Sequence, residues 1–105
     1  MQILRDAKER CDPKVAALLV VDVQNDFCSS EGASARRGQD MSTAQGMVLR
    51  LQRLLEEARA VSLPVIFIKT EHSEWTDTPS WVYRKSQRTQ LNTCRQGTWG
   101  ADFYG

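Results

Sequence analysis

The sequence predicts an α/β fold built on parallel strands, and three features predict it. The apolar run Ala16-Ala17-Leu18-Leu19-Val20-Val21 stops abruptly at Asp22. A second short run, Val65-Ile66-Phe67-Ile68, lies further along the chain. Between them, apolar residues recur at helical spacing. Strand, helix, strand with these lengths is a βαβ unit, whose strands run parallel and whose crossover is right-handed.

Residues 1–14 are polar and charged, with Pro13 just ahead of the first apolar run. They read as a lead-in arm, and residues 15–105 as part of one domain. The first strand is expected from Val15 to Val21. Its continuous apolar character marks a strand buried on both faces, and Val20 and Val21 favour strand over helix through their stiff branched side chains. Asp22 then falls at the carboxyl end of that strand, where open α/β sheets bind ligands. A carboxylate beside such a run is costly unless it is hydrogen-bonded or used. Strand-end aspartates also serve simply to cap the following turn.

Gln24 to Asp40 contains Asn25-Asp26, Ser29-Ser30, Gly32 and Gly38, the composition of a long loop. Long loops at strand ends tend to carry function. A helix is expected to start near Ser42 or Thr43, either of which could cap it. Met47, Val48, Leu51, Leu54, Leu55 and Ala58 form one apolar stripe, opposite Arg50, Gln52, Arg53, Glu56, Glu57 and Arg59. Pro64 ends this helix, because it disfavours helical geometry at Leu63. Val65 to Ile68 is the second strand. From Ser73 to Gly105 no aliphatic run appears, but Trp75, Trp81, Tyr83, Trp99, Phe103 and Tyr104 punctuate the segment. Aromatics placed this way usually pack over a core or an interface.

Two strands and one amphipathic helix do not cover both faces of a parallel sheet. The chain therefore reads as the front portion of a larger α/β domain.

Bulk properties narrow the function. Fourteen basic and 13 acidic side chains leave a net charge of +1, no electrostatic footprint for nucleic acid or an anionic membrane. No apolar run approaches the roughly 18 residues needed to span a bilayer, and Met1 to Asp6 lacks the apolar centre of a secretory signal. Cys11, Cys28 and Cys94 are odd in number and widely spaced, fitting neither a disulfide framework nor a zinc site. A reducing, cytoplasmic setting is the simplest expectation. Exposed strand edges invite pairing with another chain, so a homo-oligomer is expected. A phosphohydrolase with an aspartyl nucleophile would place a second Asp two residues after the first, and Gln24 stands there.

Val20-Val21-Asp22-Val23-Gln24-Asn25-Asp26-Phe27-Cys28 resembles the opening motif of the isochorismatase-like cysteine hydrolases, a superfamily that includes nicotinamidases and ureidoacrylate amidohydrolases. Glu57-Ala58-Arg59 followed by Leu63-Pro64-Val65-Ile66-Phe67 looks like its first helix and second strand. Thr70-Glu71-His72 and Cys94-Arg95-Gln96-Gly97-Thr98-Trp99-Gly100-Ala101-Asp102-Phe103 look like its following loops, the latter closest to the ureidoacrylate-amidase-like branch. The resemblance covers roughly residues 15–105.

It implies a three-layer α/β/α, Rossmann-like domain with a mainly parallel six-stranded sheet, of which this chain carries the N-terminal part. It also implies an Asp-Lys-Cys trio that opens a C–N bond of a small amide or ureide through a thioester. The Asp maps to Asp22. The family's Lys and nucleophilic Cys fall beyond the positions present, so the chain alone is expected to be inactive. Cys28 does not stand where the family places its thiol, Cys94 has no apolar helix after it to aim a dipole at its sulfur, and Lys69 and Lys85 do not stand where the family places its lysine. Phe27, Gln24, His72 and Trp99 are candidate substrate-binding residues, although for Gln24 scaffolding of the loop is the favoured reading. Some nicotinamidases bind a metal near His72, but Thr70 occupies the position of their metal-binding Asp and no second His exists. No metal and no cofactor are expected. The alternative is a non-catalytic truncated α/β module that acts through oligomerisation.

Overall fold

A computed structural model describes residues 3–88 and 91–105. Met1 and Gln2 of the arm, and Thr89 and Gln90 of the aromatic-dotted segment, lie outside the described residues.

Strands β1 (Leu18–Val21) and β2 (Val65–Ile68) pair in parallel, Leu18 opposite Val65 through Val21 opposite Ile68. The Leu18 N–H donates to the Pro64 carbonyl at 2.8 Å and the Asp22 N–H to the Ile68 carbonyl at 2.9 Å, closing the ladder at both ends. The first strand is shorter than its apolar run. Asp12 draws residues 14–16 into a turn, accepting from Lys14 on its side chain and from Val15 and Ala16 on its carbonyl, each at 2.9 Å. Upstream of this turn lies a single helical turn, α1 (Ala7–Arg10).

The expected loop after β1 instead contains two one-turn helices, α2 (Asn25–Cys28) and α3 (Ala33–Arg36). The long helix α4 runs from Ser42 to Ala60. Its start corrects the expected cap: Ser42 and Thr43 lie inside the helix, Met41 is the boundary residue, and the Asp40 carboxylate accepts the Ser42 N–H at 2.9 Å. Its end is a Schellman turn. Ser62 adopts φ 57, its N–H donates to Arg59, and the Leu63 N–H reaches back to Ala58. Pro64 then prevents continuation.

The α4 stripe is used unevenly. Val48 and Ala58 are buried, Leu51 and Leu55 half-buried, and Met47 and Leu54 exposed. Val20, Val23, Cys28 and Val48 form the core, with Leu18, Phe27, Ala44, Leu51, Leu55, Val65 and Tyr104 packed against it.

A strand buried on both faces was expected, and here the structure differs. Val20 is buried on the α4 side, whereas Leu19, Val21, Ile66 and Ile68 on the opposite side are 54, 54, 48 and 41% exposed. One helix covers one face, and no described element packs on the other.

The aromatic-dotted segment holds α5 (Pro79–Ser86) and a 3₁₀ turn (Trp99–Ala101). Thr78 caps α5, accepting the Trp81 N–H at 3.2 Å, and Pro79 suits the first turn, where its missing N–H costs nothing. No described helix is long and apolar enough to cross a membrane.

Candidate active site

Asp22 follows β1 directly and turns the chain sharply. Its φ is 60, a left-handed conformation that aspartate tolerates better than branched residues do. Its N–H is held by Ile68, and its carbonyl accepts the Gln24 N–H at 3.0 Å. The residue is half-buried, and among the described residues its carboxylate makes no hydrogen bond or ion pair. A strained backbone carrying an unpaired acid at a strand end is the combination found at functional sites.

The next polar residues are all occupied. Gln24 is fully buried, and its side-chain N–H groups donate to the carbonyls of Thr70 at 2.8 Å and Ala101 at 2.7 Å. Its Oε1 accepts the Thr70 N–H at 2.9 Å. Gln24 thus ties the exit of β1 to the exit of β2 and to the strap formed by residues 93–104. Asn25 donates to the Trp99 carbonyl at 2.8 Å, and its own N–H goes to the Asp102 carbonyl at 2.9 Å. Asp26 is buried; Oδ1 accepts from Ala33 at 2.9 Å and Oδ2 from Cys94 at 2.7 Å. Gly100 packs so closely on this carboxylate that an added Cβ would lie 2.2 Å from Oδ2. The Tyr104 N–H closes the strap onto the Val23 carbonyl at 3.0 Å.

The other candidates are placed apart. Phe27 packs against the core cluster. Trp99 is half exposed and lines a cleft with Asp26, Arg36, Asn92, Arg95, Thr98 and Gly100. His72 lines a small separate crevice with Glu71, Ser73, Thr76 and Gln96. Its ring stacks on Trp81 with centroids 4.1 Å apart, and its Nδ1 lies 3.0 Å from Asp77 Oδ1. Asp77 also accepts from Arg95 at 2.5 Å. These two partners hold its carboxyl below the ordinary range against the opposing effect of burial, the largest single contribution. The His72 main chain bridges to the strap, donating to Cys94 at 2.9 Å and accepting from Gln96 at 2.8 Å. Gln24 and Asn25 therefore brace the strap behind Asp22, while among the described residues Trp99 and His72 line separate clefts and Phe27 packs against the core.

The thiols are equally distinct. Cys94 is fully buried with φ 51; desolvation first, then the charges of Asp26 and Asp22, push its pKa up to about 12. Burial also raises the Cys28 thiol, partly offset by its backbone bond from Gln24. Cys11 is exposed at the end of α1. Lys69 is paired with Glu71 at 2.8 Å, which raises its pKa, and sits 5.7 Å over the Phe103 ring. Among the described residues no group of three His, Cys, Asp or Glu side chains could hold a metal ion.

Sequence reasoning missed the Asp26 clasp and the Asp77 junction. Their partners lie 68 and 18 residues away, and no local pattern announces them. The one available signal was the pairing of consecutive polar residues after a buried strand, which demand partners.

Residues 16–105 match the sequence profile of the family described as "Isochorismatase domain". Curated proteins similar to this chain include three ureidoacrylate amidohydrolases named RutB. That of Methylobacterium radiotolerans is 38% identical over 58 residues, 55% of this chain and 22% of that protein. That of Agrobacterium fabrum is 27% identical over 100 residues, 83% of this chain and 44% of that protein. That of Caulobacter segnis is 33% identical over 66 residues, 63% of this chain and 26% of that protein. The chain thus spans less than half the length of each of these relatives.

Proposed function

This chain belongs to the isochorismatase domain family, and from that premise we propose that it supplies the acid–base aspartate of a hydrolase acting on a C–N bond of a small amide or ureide. Asp22 is the group we assign to the chemistry. The observation that carries this is its unpaired carboxylate, beside three consecutive polar side chains that are all committed to backbone groups.

In this reading a thiol attacks the substrate carbonyl. Asp22 takes the thiol proton and later delivers it to the leaving nitrogen, while water releases the acyl group from the resulting thioester. A thiol serving that role must be accessible and readily ionised. Cys94 and Cys28 are buried with raised pKa values, and Cys11 lies on the arm, away from the strand ends in sequence. The Lys69 ammonium is engaged by Glu71. The nucleophile and the lysine are therefore assigned to sequence outside these 105 residues, and residues 15–105 to the N-terminal part of the hydrolase domain. The similarity to ureidoacrylate amidohydrolases supports a ureide or related amide as substrate.

The experiment is an ammonia-release assay on ureidoacrylate and simple amides. It compares residues 1–105 alone with a chimera in which residues 16–105 replace the matched segment of the Agrobacterium fabrum enzyme. The chimera is expected to turn over in a thiol-dependent manner and the chain alone to be silent. Thiol-dependent turnover by the chain alone, or a folded but silent chimera, overturns the proposal.

A further inference from the structure

His72 is the single histidine of the chain. Its ring lies against Trp81 of α5, with centroids 4.1 Å apart and planes 22° from parallel, and its Nδ1 stands 3.0 Å from Asp77 Oδ1. The two contacts fix both the tilt and the rotation of the imidazole. Asp77 is itself locked: its side chain is 5% exposed, and Oδ2 accepts from Arg95. Burial works against its ionisation, but the Arg95 and His72 hydrogen bonds outweigh that and hold the carboxyl below the ordinary range. An ionised carboxylate only accepts, so the proton between the two side chains belongs to Nδ1.

That assignment decides the character of the other nitrogen. In the neutral ring Nε2 is a lone-pair acceptor. It makes no hydrogen bond among the described residues. It is open to solvent, because no buried side-chain nitrogen or oxygen of the described residues lacks a partner. The backbone brings it to the strand ends. Thr70 is clamped to Gln24 through both its N–H and its carbonyl, and His72 lies two residues on, at most about 7 Å of chain. With Glu71, Ser73, Thr76 and Gln96 it lines a crevice of about 70 Å³, room for about two water-sized groups. The Ser73 and Thr76 hydroxyls engage each other at 3.0 Å. Glu71 and Asp77 already have their cations in Lys69 and Arg95, so the crevice offers no net charge to an ionic group and suits a neutral donor. An oriented acceptor left open among committed neighbours has the form of a recognition group.

We propose that His72 Nε2 accepts a hydrogen bond from an amide or ureido N–H of the substrate, and that Asp77 is the positioning residue that keeps it an acceptor. The inference rests on the C–N hydrolase reading above and names the substrate group that the His72 crevice takes.

The first test reads the ring itself. Long-range ¹H–¹⁵N correlation spectra of residues 1–105 report the tautomer of the single histidine, and the neutral ring is expected to carry its proton on Nδ1. Arg95 can only donate, so an amide at position 77 gives its oxygen to Arg95 and turns its N–H groups toward Nδ1. Asp77→Asn is therefore expected to move the proton to Nε2. The second test is KM for ureidoacrylate in the chimera. His72→Phe keeps a ring on Trp81 and removes the acceptor, and it is expected to raise KM by about 10–100-fold, with kcat falling less than KM rises. Asp77→Asn is expected to change KM in the same direction. A silent parent chimera counts against Asp22, whereas the ring readout needs no turnover and still decides the tautomer. An Nε2–H ring in the native chain, an unchanged tautomer in Asp77→Asn, or a KM within about twofold of the parent in the His72→Phe chimera overturns the proposal.

Discussion

The Cys94 N–H donates to the Asp26 carboxylate and its thiol lies 3.9 Å from the Gly100 carbonyl, and its pKa of about 12 follows from lost hydration and two nearby negative charges. At pH 8 only about one such thiol in ten thousand is ionised. Native protein is therefore expected to react with a disulfide reagent at Cys11 alone, and at Cys28 and Cys94 only in denaturant. Fast labelling of two or three thiols in the native protein would contradict this. The linkage has a definite sign. The folded-state pKa lies above the ordinary value of a thiol, so the fold favours the neutral form. That contribution is fully present below about pH 9 and is lost as pH rises toward 12. Denaturant titrations at alkaline pH are expected to show Cys94→Ala losing less stability over that window than the parent chain. At this scale the place of Asp22 at the strand end was legible from sequence, because it directly follows an apolar run. Asn25, Asp26 and Asp77 were not, since the backbone groups and side chains they bind come from remote segments that no periodicity links to them.

Helix α4 was read from its spacing nearly residue for residue, because a 3.6-residue period is a local property. Its cap was misassigned because Ser42 and Thr43 are both good capping residues by type, whereas the helix begins at Ser42 with Met41 at the boundary and the Ser42 N–H held by Asp40. Helix α5 was missed: eight residues with half-exposed aromatics carry little periodic signal, and the Thr78-Pro79 start was its one mark. The stripe of α4 also overstates what is buried. Val48→Ala is expected to destabilise the fold by about 1–3 kcal/mol, since it removes core contact with Val20 and Val23. Leu54→Ala, at 49% exposure, is expected to change it by under about 0.5 kcal/mol. Urea unfolding of the two variants checks the contrast, and equal losses would place Leu54 in a packed environment that α4 does not provide here.

At the scale of the molecule, the sequence foretold a parallel pair with too little material to cover it, and the half-exposed face of Leu19, Val21, Ile66 and Ile68 is the physical form of that shortage. What the sequence could not convey is how residues 93–104 double back as a strap. Gln24, Asn25 and Asp26 hold it against the strand ends and leave the Asp22 carboxylate without a hydrogen bond or ion pair among the described residues. The direct measurement of that arrangement is kcat for ureidoacrylate hydrolysis by the chimera carrying residues 16–105, with Asp22 intact and as Asp22→Asn. The amide keeps the size of the side chain and removes its capacity to accept the thiol proton. The substitution is expected to lower kcat by about 10²–10⁴-fold while leaving the unfolding midpoint nearly unchanged. A kcat within about threefold of the parent, in a variant of unaltered stability, would contradict the assignment of Asp22 as the acid–base group.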